Sequence, residues 1–147
     1  MSEVAPSGYA PIESGEWAGW HVWRGDPFED ANGPFHVRFD SSGRGECAFR
    51  AEPRHMNGGG FMHGGCLMTF ADAALFAIAR PEIGDQRAVT MNLSSDFLSA
   101  VKVGQLVTAT GEVTRGGGKT IFVRGKVSAD GTPALSFSGI IRKLGQR

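Results

Sequence analysis

Gly65-Cys66-Leu67-Met68-Thr69-Phe70-Ala71-Asp72-Ala73-Ala74-Leu75-Phe76-Ala77-Ile78-Ala79-Arg80 is the stretch whose reading decides the fold. It is rich in Ala, Leu and Met, side chains that lose little freedom in a helix. Pro81 forbids continuation, because its ring disfavours the helical conformation in the residue before it. Arg80 suits the negative end of the helix dipole. The spacing predicts one helix over 65–80. Apolar side chains surround it almost completely, so it belongs in the interior.

Outward from this helix the pattern changes from helical to alternating. On the N-terminal side, Phe35, Val37 and Phe39 alternate with His36 and Arg38. Ser41-Ser42-Gly43-Arg44-Gly45 reads as a turn, and Cys47, Phe49 and Ala51 resume the alternation, which predicts a hairpin. On the C-terminal side, residues 88–97, 105–114, 120–128 and 134–142 are strand-like, rich in Val, Ile, Thr and Phe. Gly104, Gly116 to Gly118 and Asp130-Gly131 punctuate them as turns. Strands, one buried helix, then more strands predict an α+β fold, an antiparallel sheet wrapped around one long central helix.

Residues 1–33 read as an irregular N-terminal extension to a domain spanning 34–147. The extension holds prolines, glycines and three tryptophans spaced by three, Trp17, Trp20 and Trp23. That spacing suits one face of a short helix. A hydrophobic flap over the main domain is the preferred reading, with rings bordering a substrate pocket as the sharper one.

The chain has 147 residues, 41% apolar and 20% charged, as expected of one globular domain. Lys plus Arg equals Asp plus Glu at 15 each, which gives no support for a nucleic-acid or membrane-surface partner. Met1 to Ala10 lacks the basic-then-apolar pattern of a secretory signal, so a cytoplasmic location is expected. Cys47 and Cys66 have no metal-ligand spacing and read as small packed residues, not a disulfide.

Asp72 is the only charged side chain between Gly64 and Arg80. A buried, unpaired carboxylate is costly, so Asp72 either lies on a wet edge of the helix or has a chemical task. His63-Gly64-Gly65 opens the helix. Helix N-termini present free N–H groups and a positive dipole end, and glycines let a ligand oxygen approach. The Gly64 and Gly65 amides therefore suit an oxyanion site. His63 itself reads better as a cap. Gly64 and Asp72 are eight residues apart, roughly 12 Å along one helix. Reacting groups must lie within about 3 Å of one carbonyl, so a single helix cannot supply both. Two antiparallel copies across a twofold axis can, which predicts a homodimer with interfacial sites.

Asn57, His63-Gly64-Gly65 and Asp72, at these spacings, resemble the motif of the phenylacetate-pathway thioesterases, the PaaI-like branch of the hot-dog superfamily. His55 shortly before the Asn, and the run from Thr90 through Phe97-Leu98 to Gly104, are similar too. The likeness spans about residues 34–143. Ser99-Ala100 departs from it, standing where many relatives carry Arg-Pro. The resemblance implies a hot-dog fold and hydrolysis of an acyl-CoA thioester without a metal or other cofactor. It implies Asp72 as nucleophile or general base, the Gly64 amide as carbonyl donor, Asn57 as holder of the carbonyl or water, and Thr90 as the hydroxyl that positions water. Asn57 and Gly64 would come from one chain, Asp72 and Thr90 from the other, in a dimer or a tetramer of two dimers.

His63, Gly65, Arg115 and Lys119 complete the expected substrate-binding set, the last two as cations for the CoA phosphates near the Gly116 to Gly118 turn. A P-loop reading of Gly118-Lys119-Thr120 fails, because Val113 stands where that motif needs Gly. The alternatives are a hot-dog hydratase or dehydratase using His63 with Asp72, and a non-catalytic acyl-CoA binder. The acyl group is open, since Phe61, Met62, Met68, Phe97 and the tryptophans could line an aryl or a medium-chain pocket equally well.

Overall fold

The computed structural model describes residues 6–146. Half of the Met1–Ala10 stretch, and with it the start of the segment read as irregular, lies outside the described residues. In chain order the elements are β1 (Tyr9–Pro11), β2 (His21–Trp23), α1 (Pro27–Asn32), β3 (His36–Phe39), β4 (Gly45–Arg50), α2 (Gly64–Ile78), α3 (Arg80–Ile83), β5 (Arg87–Phe97), β6 (Leu106–Arg115), β7 (Thr120–Ala129) and β8 (Thr132–Gly145). The strands form one antiparallel sheet ordered β1-β2-β3-β4-β6-β7-β8-β5, and the one long helix, α2, packs on it. The hairpin and the four later strands fall where the alternation places them, within a few residues at each end.

Leu67, Phe70, Ala71, Ala74, Leu75 and Ile78 of α2 are buried in one cluster with Phe49, Val107, Ala109, Ile121, Leu135 and Ile141 of the sheet. This is the burial expected of a helix without a continuous polar face. The helix stops earlier than the sequence pattern suggests. Ala79 is its C-cap, and Pro81 sits in the first turn of α3, where a missing N–H leaves no helical bond unmade. Small residues let helix and sheet approach. A Cβ added at Gly139 on β8 would lie 2.4 Å from the Leu75 side chain, which is fully buried.

The N-terminal segment is where the structure departs from the sequence reading. The expectation of an irregular extension is corrected: β1 and β2 add two antiparallel strands to the β3 edge, with Tyr9 opposite Trp23 and His21 opposite Val37. The tryptophans do not share a helix face. Trp17 stacks on His36 at 3.9 Å and Trp20 lies under the Arg38 guanidinium at 4.5 Å, whereas Trp23 meets Tyr9 edge-on at 5.0 Å. Strand alternation explains the split, since successive side chains leave opposite faces. His36 and Arg38 belong to the outer face, while Trp23 and Tyr9 share the inner face with Val37. The period of three is a coincidence of loop and strand.

Gly139→Val forces β-branched bulk against Leu75, and overpacking of this kind costs about 1–3 kcal/mol. Urea unfolding checks this: the midpoint falls for Gly139→Val and stays nearly unchanged for Ser138→Val, whose side chain is exposed.

Candidate active site

Asp72 occupies the side of α2 that the sheet leaves partly open. Ala73 adjoins it, Phe76 lies one turn on, Arg80 opens α3, and all four line a cleft of about 980 Å³. Thr90 of β5 lines the same cleft and donates its hydroxyl to Asp72 Oδ1 at 2.5 Å. The β5–β8 ladder slips here, with Thr90 opposite Ile141 and Asn92 opposite Ile140, so Met91 is an extra residue. Such a bulge re-aims the neighbouring side chains. The hydroxyl satisfies one carboxylate oxygen and leaves the rest of the group facing the cleft. Asp72 is only part-buried, so its charge retains water as well as the Thr90 bond.

The opposite wall comes from the N-terminal strands. Tyr9, Trp23, Phe35 and Val37 line it, with Glu29 of α1 among them. Burial pushes the Glu29 carboxyl up to about 7, helped by the negative charges of Asp26, Asp72 and Asp30. Asp26 is held beside it because its carboxylate caps α1, accepting from the Glu29 N–H at 3.0 Å. Burial also pushes the Tyr9 phenol up, while the nearby Arg80 guanidinium pulls it down. Sequence reading found none of Tyr9, Glu29, Phe76 or Arg80. For Phe76 and Arg80 a signal existed, the i+4 and i+8 positions after Asp72. For Glu29 there was none, since strand pairing far from the helix brings it in.

The other motif residues form a separate constellation at the start of α2. His63 is its N-cap, and Nδ1 accepts from the Gly65 N–H at 2.9 Å. The His63 ring is thus engaged through Nδ1 as the expected cap, and the Gly65 amide is engaged by it. Among the described residues the Gly64 N–H has no acceptor, so of the two amides only this one is available to a ligand. A Cβ at Gly64 would lie 3.2 Å from the Phe97 ring. Asn57 is exposed and shapes the preceding turn, its Oδ1 accepting from the N–H groups of Gly59 at 2.9 Å and Phe61 at 3.1 Å. Among the described residues its amide NH2 has no acceptor. His55 is buried and structural, bridging the Glu52 N–H and the Asn32 carbonyl.

Asn57, His63, Gly64 and Gly65 do not line the Asp72 cleft, and neither do Phe61, Met62, Met68 or Phe97, nor Trp17 and Trp20. Of the three tryptophans Trp23 alone does so. Arg115 and Lys119 are both exposed and meet in a second cavity of about 660 Å³ at the β6–β7 turn, with Gly116, Gly118, Thr120 and Phe122. Cys47 is buried, Cys66 half-buried, and both are free thiols.

Residues 59–135 match the sequence model of the thioesterase superfamily. Over 136 residues the chain is 30% identical to a Pseudomonas aeruginosa protein named "Putative esterase PA0474", covering 92% of this chain and 94% of that one. Among solved structures, a mutant of the phenylacetic acid degradation protein PaaI from Thermus thermophilus superposes with a TM-score of 0.71 at 25% identity, covering 81% of this chain and all of that one. A hypothetical thioesterase from Streptococcus pneumoniae, solved with coenzyme A, gives 0.69 at 21% identity, covering 77% and 88%.

Glu29 makes the cleft wall pH-sensitive. Its folded pKa of about 7 lies above the ordinary 4.5, so folding favours the protonated form. The stability it contributes is complete below about pH 4.5 and is lost as pH rises through about 7. Glu29→Gln keeps the protonated shape at every pH. Melting curves of variant and wild type from about pH 5 to about pH 8 should show the variant gaining Tm relative to wild type as pH rises. A pH-independent offset contradicts the assignment.

Proposed function

Since the chain belongs to the thioesterase superfamily, we propose that it hydrolyses acyl-CoA thioesters to the free acid and coenzyme A, in sites shared between two copies of itself. One observation carries this reading. Asp72 is held by Thr90 on an open cleft, whereas the unengaged Gly64 N–H lies roughly 12 Å away on the same rigid helix. A thioester carbonyl reaches both groups only if they come from different copies.

The free face of the sheet suits such a second copy. β5 is a long edge strand with no fully buried residue, and Val89, Met91 and Phe97 are 44–57% exposed. An unpaired apolar edge of this length invites another strand. Pairing across a twofold axis there sets two α2 helices antiparallel and brings the Gly64 of each copy toward the Asp72 of the other.

In that site the thioester oxygen accepts from the second copy's Gly64 N–H, at the positive end of its α2. The Asn57 NH2, whose own oxygen is tied up in its turn, is placed to donate beside it. Asp72, oriented by Thr90, acts by one of two routes. As general base it takes a proton from water, whose oxygen attacks the carbonyl carbon; collapse breaks the C–S bond, and the proton passes to the thiolate. As nucleophile it forms an acyl anhydride and releases the thiolate, and water then cleaves the anhydride. Neither route calls for a metal or redox group. Arg115 and Lys119 supply positive charge for the CoA phosphates, with the exposed Phe122 ring beside them for the base. The Streptococcus pneumoniae relative was solved with coenzyme A, which supports a nucleotide-binding role for this fold. A hydratase pairing His63 with Asp72 is disfavoured, because the His63 ring already caps α2.

Asp72→Asn should lower thiol release from acyl-CoA by about a hundred- to ten-thousand-fold with substrate binding largely kept. Unchanged turnover removes Asp72 from the reaction. Single turnover in oxygen-18 water tests the routes: label in Asp72 establishes an anhydride opened at the Asp72 carbonyl, whereas a general base puts label in the product acid alone. Arg115→Ala and Lys119→Ala should each raise KM for acyl-CoA with kcat little changed, and leave KM for acyl N-acetylcysteamine thioesters, which lack the nucleotide, where it was. Equal effects on both substrates contradict the phosphate assignment.

A further inference from the structure

The catalytic carboxylate lies inside the stretch matched by the superfamily, residues 59–135, but the wall facing it does not. That wall belongs to the N-terminal strands. We propose that β1 and β2 form the end of the acyl cleft, and that Trp23, backed by Tyr9, is the specificity-determining residue that limits how long an uncharged acyl tail the site accepts. The proposal rests on the thioesterase reading above and names the substrate feature that this chain selects.

Three observations carry it. First, the pairing of Tyr9 with Trp23 and of His21 with Val37 sets Tyr9, Trp23 and Val37 on the inner face of the sheet, and all three line the Asp72 cleft. The sheet is curled so far that its two outermost strands, β1 and β5, border one cavity. Second, the Trp23 ring is fixed and not a swinging flap. Gly8 presses against it so closely that an added Cβ would lie 2.4 Å from a ring carbon, and Tyr9 meets it edge-on at 5.0 Å. Gly8 has φ of +94°, a conformation that favours glycine, so this close approach is part of the local fold. Third, the strands are clamped from the outer face. Trp17 stacks on His36, Arg38 covers Trp20, and Glu16 pairs with Arg50 of β4. A wall held from both sides cannot yield to a longer chain by moving away, so length is set by what the ring leaves open.

The chemistry of the cavity fits an uncharged tail. Beyond Asp72 the helix presents the small Ala73 and then Phe76, opposite Trp23 and Phe35. Its charged lining is mixed, with Asp26, Glu29 and Asp85 beside Arg80 and Arg87, so neither sign of charged tail is favoured over an apolar one, which gains the aromatic walls.

The test is a length series from butanoyl- through hexanoyl-, octanoyl- and dodecanoyl- to palmitoyl-CoA, read as kcat/KM, with the matching S-alkyl-CoA thioethers titrated calorimetrically as non-hydrolysable probes. Wild type should fall off sharply past one length. Trp23→Ala should move that limit to longer chains, raising the dodecanoyl-to-hexanoyl ratio by about tenfold or more, the scale on which pocket methylenes discriminate. Trp17→Ala loosens only one outer clamp and leaves the Trp23 ring in place, so it should shift the ratio less than Trp23→Ala. Trp23→Phe should shift it less, and it replaces Trp23→Ala if that variant does not fold. An unchanged ratio in a folded Trp23 variant, or an equal shift in Trp17→Ala, overturns the proposal. If wild type hydrolyses no member of the series, the thioesterase reading fails, and the thioethers decide the wall alone. A length limit in binding that moves with Trp23 upholds it, and the absence of alkyl-CoA binding or of any shift overturns it.

Discussion

The rise of an α-helix is fixed by its hydrogen bonds, and that rigidity governs everything proposed for this molecule. α2 runs unbroken from Gly64 to Ile78, so its free N-terminal amide and its lone carboxylate are held roughly 12 Å apart. Bending the helix enough to bring them together would break backbone bonds in the most buried part of the protein. The helix is locked by Leu75 against Gly139 and by Phe70 among the rings of Phe35 and Phe49. The same packing that makes the fold stable therefore makes one copy of the chain insufficient for the chemistry proposed. For that proposed chemistry, a separation of roughly 12 Å, the rise of eight residues, calls for two copies before any relative is considered.

Around that helix the sheet performs two different tasks at its two ends. At one end β5 presents Thr90 to Asp72 through a bulge and leaves an exposed apolar edge. At the other end β1 and β2 extend the inner face with aromatic side chains and close on the same cavity. In the proposed enzyme, chemistry and selectivity come from opposite edges of one sheet, with α2 between them. Glu29 and Asp26, brought by the short α1, add acidic groups to a cavity that already holds Asp72, and part of the consequence is visible in the raised Glu29 pKa.

The helix, the hairpin and the C-terminal strands were legible because each has a strong local signal: an Ala- and Leu-rich run ended by a proline, and alternations bounded by glycines. Asp72 was legible as the one charge in an apolar helix, and its Thr90 partner through the family resemblance. The N-terminal strands were not. Each has three residues, too few for alternation to show, and they exist only by pairing, β2 with β3 and β1 with β2. The tryptophan spacing suggested a helix because period three is close to the helical repeat, and only the pairing register reveals that the rings leave opposite faces. The capping role of His63 was legible at the helix start, but its use of the Gly65 donor was not. Sequence shows that a helix N-terminus has donors to offer but not which are already used, and the His63 ring uses one of them.

The divided site can be tested by complementation. Asp72→Ala removes the carboxylate. Gly64→Pro removes the N–H at a position that tolerates proline, since the first helical residue needs no intrahelical donor and His63, with ψ of 133°, already has the extended backbone that a following proline requires. Each variant alone should be inactive toward acyl-CoA. Co-expressed in equal amounts and mixing at random, they form mixed dimers with one intact site and one doubly damaged site, so about a quarter of wild-type activity should return. Mixed dimers seen by native mass spectrometry that remain inactive, or an active protein that stays monomeric, would contradict a site built from two copies.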